Sequence, residues 1–95
     1  MFAVSDYYAI DLMCLLQREG LRIPDDISLI GFDGSRDCAM VTPALTSVAQ
    51  DSGLRAQKAL ELLARMKGSP DFRESVRIPV HLVPGGSVRS VFPQD

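Results

Sequence analysis

Four polar residues in this chain stand directly after short apolar runs. Ser5 and Asp6 follow Met1-Phe2-Ala3-Val4, Asp33 follows Ile27 to Phe32, and Gln50 follows Leu45 to Ala49. A carboxylate accepts from vicinal hydroxyls, a serine hydroxyl both donates and accepts, and a glutamine amide carries a donor and an acceptor side by side. Gathered at one edge, such groups suit a neutral polyol, a sugar or a nucleoside. Each also has a local use. Ser5 or Asp6 suits a helix cap, Asp33 suits a turn, and the Gln50 amide can satisfy backbone. Their recurrence at strand ends, where open α/β sheets gather ligands, is what points to binding.

Catalysis has less to work with. The single histidine, His81, has no acidic or nucleophilic neighbour in sequence. Asp25-Asp26 follows Pro24 and reads as turn chemistry rather than a carboxylate pair. Gly85-Gly86 fits no phosphate loop or dinucleotide fingerprint. Cys14 and Cys38 belong to no metal-ligand spacing and are expected as free thiols, Cys14 in the core and Cys38 in a loop, in a reducing compartment. The expectation is therefore no enzyme, no catalytic residue, no metal and no cofactor.

The elements that must position the four residues follow from pattern. Met1 to Val4 reads as the end of a buried strand. Ser5-Asp6 caps a helix over Tyr7 to Glu19, which Gly20 ends and Leu21 staples in a Schellman motif. The helix is apolar almost all round, with only Asp11 interrupting its first three turns, so two burial surfaces are expected: its own sheet and a second partner such as a dimer mate. A strand is expected over Ile27 to Phe32, then an irregular loop over Arg36 to Pro43 and a short strand over Leu45 to Ala49. A second helix runs from Asp51-Ser52 to Lys67, with Ala56, Ala59, Leu60, Leu63 and Met66 on one face. Val76 to Val83 contains Pro79 and reads as an edge strand. Ser87 to Asp95 reads as a short strand and a frayed tail. Strands alternating with helices imply a parallel α/β sheet.

Bulk properties narrow the class. The 95 residues carry a net charge of −2, with Lys and Arg scattered rather than clustered, so the chain itself is not expected to grip nucleic acid phosphates. No apolar run approaches the roughly 18–20 residues of a membrane span, and no signal peptide opens the chain. A cytoplasmic location and no membrane partner are expected.

Two runs bear a family resemblance. Ala3-Val4-Ser5-Asp6, the apolar helix, Gly20-Leu21-Arg22-Ile23-Pro24-Asp25-Asp26-Ile27-Ser28 and Ile30-Gly31-Phe32-Asp33 resemble the LacI/GalR family of bacterial transcriptional regulators. Thr42-Pro43-Ala44-Leu45-Thr46-Ser47-Val48-Ala49-Gln50 resembles a second motif of that family, at the family's usual distance from Asp33. The resemblance implies a partial periplasmic-binding-protein-like type I fold, α/β with parallel-sheet βαβ units and mainly the C-terminal subdomain. Residues 1–88 would be the C-terminal portion of the effector-binding domain and 89–95 a tail. It implies Ser5, Asp6, Asp33 and Gln50 as contacts to a small-molecule effector of the sugar, nucleoside or purine class. It implies a homodimer formed through the first helix and the loop Arg36 to Val41, with Tyr7, Ile10, Met13, Met40 and Val41 at the interface. DNA would be met only through an N-terminal headpiece absent from this chain. The chain departs from the family at Ser52, where some members place an aromatic against the effector, at Ala56, often glycine, and at Gly85, often arginine. A fragment of a periplasmic sugar-binding transport protein and a stand-alone dimerisation module are the alternative readings.

Overall fold

The computed structural model describes residues 1–90. They form α1 (Asp6–Arg18), β1 (Ile30–Asp33), a 3-10 turn (Arg36–Ala39), β2 (Thr46–Gln50), α2 (Ser52–Gly68) and β3 (Val80–Val83). The sheet order is β1-β2-β3, and β1 runs parallel to β2 with Gly31 opposite Ser47 and Asp33 opposite Ala49. On the other side of β1, Phe2 forms a parallel bridge to Ile30. The Ala3 amide donates to the Ile30 carbonyl and the Ile30 amide to the Met1 carbonyl. The parallel α/β arrangement expected from the alternation of elements is present. The chain divides into two compact units, one of Met1–Ala49 with the chain from His81 onward, the other Gln50–Val80.

In the first unit α1 starts and stops on local signals. Ser5 is the N-cap, its hydroxyl accepting from the Tyr8 amide at 3.3 Å. Gly20 takes φ +87°, the Leu21 amide donates to Leu16 and the Gly20 amide to Gln17, which is the Schellman pattern. The face at Ala9 and Met13 packs with Ile23, Leu29, Cys38 and Leu45, and Ala3, Ile10, Leu12, Leu16 and Val41 surround that core. Met13 is 1% exposed, so the structure removes it from the expected dimer surface. It lies one turn beyond Ala9 on the same row, which the sheet covers.

The cysteines are exchanged relative to expectation: Cys14 is exposed and Cys38 buried. Cys14 falls just off the Ala9–Met13 row, whereas the 3-10 turn drives Cys38 down onto the core. Phe2 and Val4 are also exposed, so the expected first strand is reduced to the Phe2 bridge and is half-buried only at Ala3. The strand expected from Ile27 begins at Ile30. The strand expected from Val76 begins at Val80, after Pro79, which has no amide to donate.

Ser87 does work that the sequence did not announce. It is fully buried, its hydroxyl accepts from the Thr46 amide at 2.8 Å and donates to the Leu29 carbonyl at 2.6 Å, and its carbonyl accepts from the Leu29 amide. It stitches the chain's last described segment to β2 and to the entry of β1. Ser87–Ser90 form no strand, and the rest of that expected segment lies outside the described residues.

The second unit is built on α2. Asp51 caps it, accepting from the Leu54 amide at 2.9 Å. None of its residues is buried; Leu54, Lys58 and Leu62 are half-buried, while Leu60 (68%), Leu63 and Met66 on the expected apolar face are exposed. The face read as the packing face is therefore not the sheltered one within this unit. Arg65 bridges to Glu74 at 2.9 Å and stacks over Phe72, tying the helix to the connector that follows it.

Candidate functional site

Two parallel strands and the bridged segment at Phe2 lead into the residues singled out by spacing. The segment paired with Ile30 leads into Ser5-Asp6, β1 ends at Asp33, and β2 ends at Gln50. The structure gives these residues different roles.

Asp6 is buried (2% exposed), yet both carboxylate oxygens are satisfied. Oδ1 accepts from the Ser47 hydroxyl at 2.6 Å and Oδ2 from the Ser35 amide at 2.7 Å. The buried Cys38 thiol, within reach of the Ser35 hydroxyl at 3.9 Å, favours the charged form as well. Burial alone would raise the carboxyl pKa, but these hydrogen bonds outweigh it and hold the group below the ordinary carboxylate range. The first turn of α1 favours the charge further. In turn, burial and the neighbouring Asp6 carboxylate push the Cys38 thiol up, which keeps it a protonated donor. Asp6 was expected against the effector; the structure instead commits it to internal donors beneath the surface.

Gly31 explains how a carboxylate reaches that position. A Cβ at Gly31 would collide with Asp6 Oδ1 and press on a Leu45 methyl at 3.0 Å. The missing side chain is thus the slot through which Asp6 crosses β1 to Ser47 on β2. Gly31 lies inside β1, as the expected strand over Ile27 to Phe32 would have it. Ser47 went unnoticed because a serine within an apolar strand carries no local signal of a long-range carboxylate partner.

Asp33 is exposed at the end of β1 and has φ 121°, the positive-φ exception among described non-glycine residues. Gly34 follows at φ +75°. Non-glycine residues held in such regions concentrate at functional sites. Ser5 is half-buried and engaged as the cap of α1. Gln50 is half-buried, and its Oε1 accepts from Arg55 at 3.1 Å. A shallow groove of about 350 Å³ lies elsewhere on the first unit, lined by Tyr7, Ile10, Asp11, Asp37, Met40 and Val41. Among the described residues no helix is long and apolar enough to cross a membrane.

Residues 1–88 match the family model of the periplasmic binding protein-like domain. The chain is 33% identical over 89 residues to the HTH-type transcriptional repressor PurR of Escherichia coli, covering 93% of this chain and 26% of that protein. It superposes on the lac repressor dimer bound to operator and the anti-inducer ONPF with TM-score 0.83 and 28% identity, covering 95% of this chain and 32% of that one. A LacI family transcriptional regulator from Enterococcus faecalis with bound ribose gives TM-score 0.79 at 34% identity, with 92% of this chain and 33% of that one covered. The chain thus spans about a quarter to a third of these relatives. It belongs to the periplasmic binding protein-like domain family, as a segment of the effector-binding domain of LacI-family transcriptional regulators.

Proposed function

We propose that this chain senses a small polyhydroxylated effector, a sugar or nucleoside, for a transcriptional regulator that acts in the cytoplasm. The observation that carries the reading is the exposed Asp33 carboxylate, held at positive φ at the end of a parallel strand. Carboxylates at such ends accept from paired hydroxyls, and a relative of similar fold is described with bound ribose. Ser5 and Gln50 are the further proposed contacts, with Asp6 acting from beneath. Contact with DNA would come from residues outside this chain, whose own charge is −2.

The chain spans about a quarter to a third of its relatives, so by itself it is expected to bind weakly. Calorimetric titration with ribose, hexoses, nucleosides and purines should show at best a dissociation constant of about 1 mM, worth about 4 kcal/mol, for one of these classes. Asp33→Ala should abolish that heat. Submicromolar binding by the isolated chain, or binding that Asp33→Ala leaves intact, would contradict the reading.

The groove beside α1 supports a second property, pairing with another copy of this chain. Tyr7 (72%) and Met40 (78%) are large apolar side chains left exposed beside Ile10 and Val41. Exposed apolar patches of this kind mark interaction surfaces, and the lac repressor it resembles is described as a dimer.

A further inference from the structure

The turn after β1 places two successive residues, Asp33 and Gly34, at positive φ. Glycine adopts this without cost; a side-chain-bearing residue at φ 121° is strained and persists only where its surroundings over-determine it. The two amides that follow Asp33 supply that constraint. The Gly34 amide donates to Ser47 Oγ at 3.0 Å, and the Ser47 hydroxyl passes the contact on to Asp6 Oδ1 at 2.6 Å. The Ser35 amide donates directly to Asp6 Oδ2 at 2.7 Å. Both amides therefore end on one buried carboxylate. Sterics close the remaining side, since a Cβ at Gly34 would lie 2.5 Å from the Ala49 methyl.

Asp6 and Ser47 are 2% and 1% exposed, too deep to meet a ligand themselves. We propose that they are positioning residues: the buried carboxylate–hydroxyl pair holds the turn 33–35 in its strained form and so presents the Asp33 carboxylate at the strand end. Only the last step, presentation to an effector, rests on the function proposed above. The hold on the strained turn is a property of the fold with no ligand present.

The brace and the strain are therefore coupled, and a double-mutant cycle reads the coupling. Thermal unfolding is followed for the full chain as Asp33→Gly, Ser47→Ala, the double variant and the parent. Ser47→Ala alone should lower Tm by about 4–8 °C or more, the usual scale for one lost buried hydrogen bond in a domain this size. Asp33→Gly should hold or raise Tm, because glycine removes the strain the brace opposes. In the Asp33→Gly background the loss caused by Ser47→Ala should be larger than in the parent, because the parent turn relaxes when the brace is withdrawn and gives back its strain, whereas the glycine turn has none to give. Additive losses would overturn the proposal and leave Ser47 an ordinary buried hydroxyl. Should Ser47→Ala alone fail to fold, the same cycle is run with Ser47→Cys, whose thiol donates and accepts more weakly than the hydroxyl. A lowered Tm for Asp33→Gly, which would mean that no strain was there to relieve, also overturns it. Ribose titration of Asp33→Gly separates the two claims: a positive cycle with undiminished ribose binding keeps the brace and removes Asp33 from the effector site.

Discussion

Asp6→Ala is expected to destabilise the first unit by about 2–5 kcal/mol, because it leaves donors without their acceptor. The Ser35 amide and the Ser47 hydroxyl both lose their partner. Ser47 is buried on β2 at 1% exposure, so water does not readily replace the carboxylate. Against the total of about 5–14 kcal/mol typical of a 95-residue chain, and with a small apolar core, the loss is a large fraction. Urea unfolding at pH 7 measures it, the midpoint falling with little change in slope. Asp6→Asn keeps one acceptor and should lie between alanine and the parent. The sign with pH follows from the lowered carboxyl pKa. A depressed folded-state pKa contributes stability that is present above the unfolded value of about 3.9 and lost as pH falls through the folded value. An Asp6 variant equal in stability to the parent would mean that the donors are satisfied without it.

The other large effect is on assembly. Met40→Asp places a charge in the groove formed with Tyr7, Ile10 and Val41, where the side chain is 78% exposed in the single chain. Because the residue lies at the surface, the fold should survive the change with its Tm nearly unaltered. A buried interface anchor is worth about 2 kcal/mol or more, and a desolvated unpaired charge adds to the loss. The dimer dissociation constant should therefore rise about 30-fold or more, read by analytical ultracentrifugation across a concentration series. A parent chain that sediments as a monomer at all concentrations would end the dimer reading, and an unchanged constant for Met40→Asp would place the interface elsewhere. Met13 is deliberately not the residue changed, since its 1% exposure makes any substitution there a test of the core.

What was legible in the sequence was local or periodic. Ser5 and Gly20 bound α1 by signals within a few residues of each end, and the structure uses both. The alternation of strands and helices gave the parallel pairing of β1 with β2. What stayed hidden depends on partners distant in the chain. Ser47 and Ser87 sit 41 and 58 residues from their partners Asp6 and Leu29, so nothing near them in sequence marks a buried hydroxyl. Gly31 carries no local signal either, because the reason for its missing side chain, the passage of a carboxylate from α1, belongs to another element. The exchange of Cys14 and Cys38 has the same origin. A helix apolar all round does not declare which row faces the sheet, and a 3-10 turn can bury a residue that reads as loop. Asp6 itself was found for its place after a strand. Its role changed from surface ligand to internal support once both oxygens were seen to be occupied.

Central to this fold is Asp6 as an ionised, buried support for the turn that carries Asp33. A carbon-13 NMR titration of the Asp6 side-chain carboxyl tests this directly in the intact chain. A midpoint below the ordinary aspartate value of 3.8 is expected, moved upward by Ser47→Ala as one donor is withdrawn. A midpoint at or above that value, insensitive to Ser47→Ala, would show that burial dominates and that the carboxylate does not hold the turn.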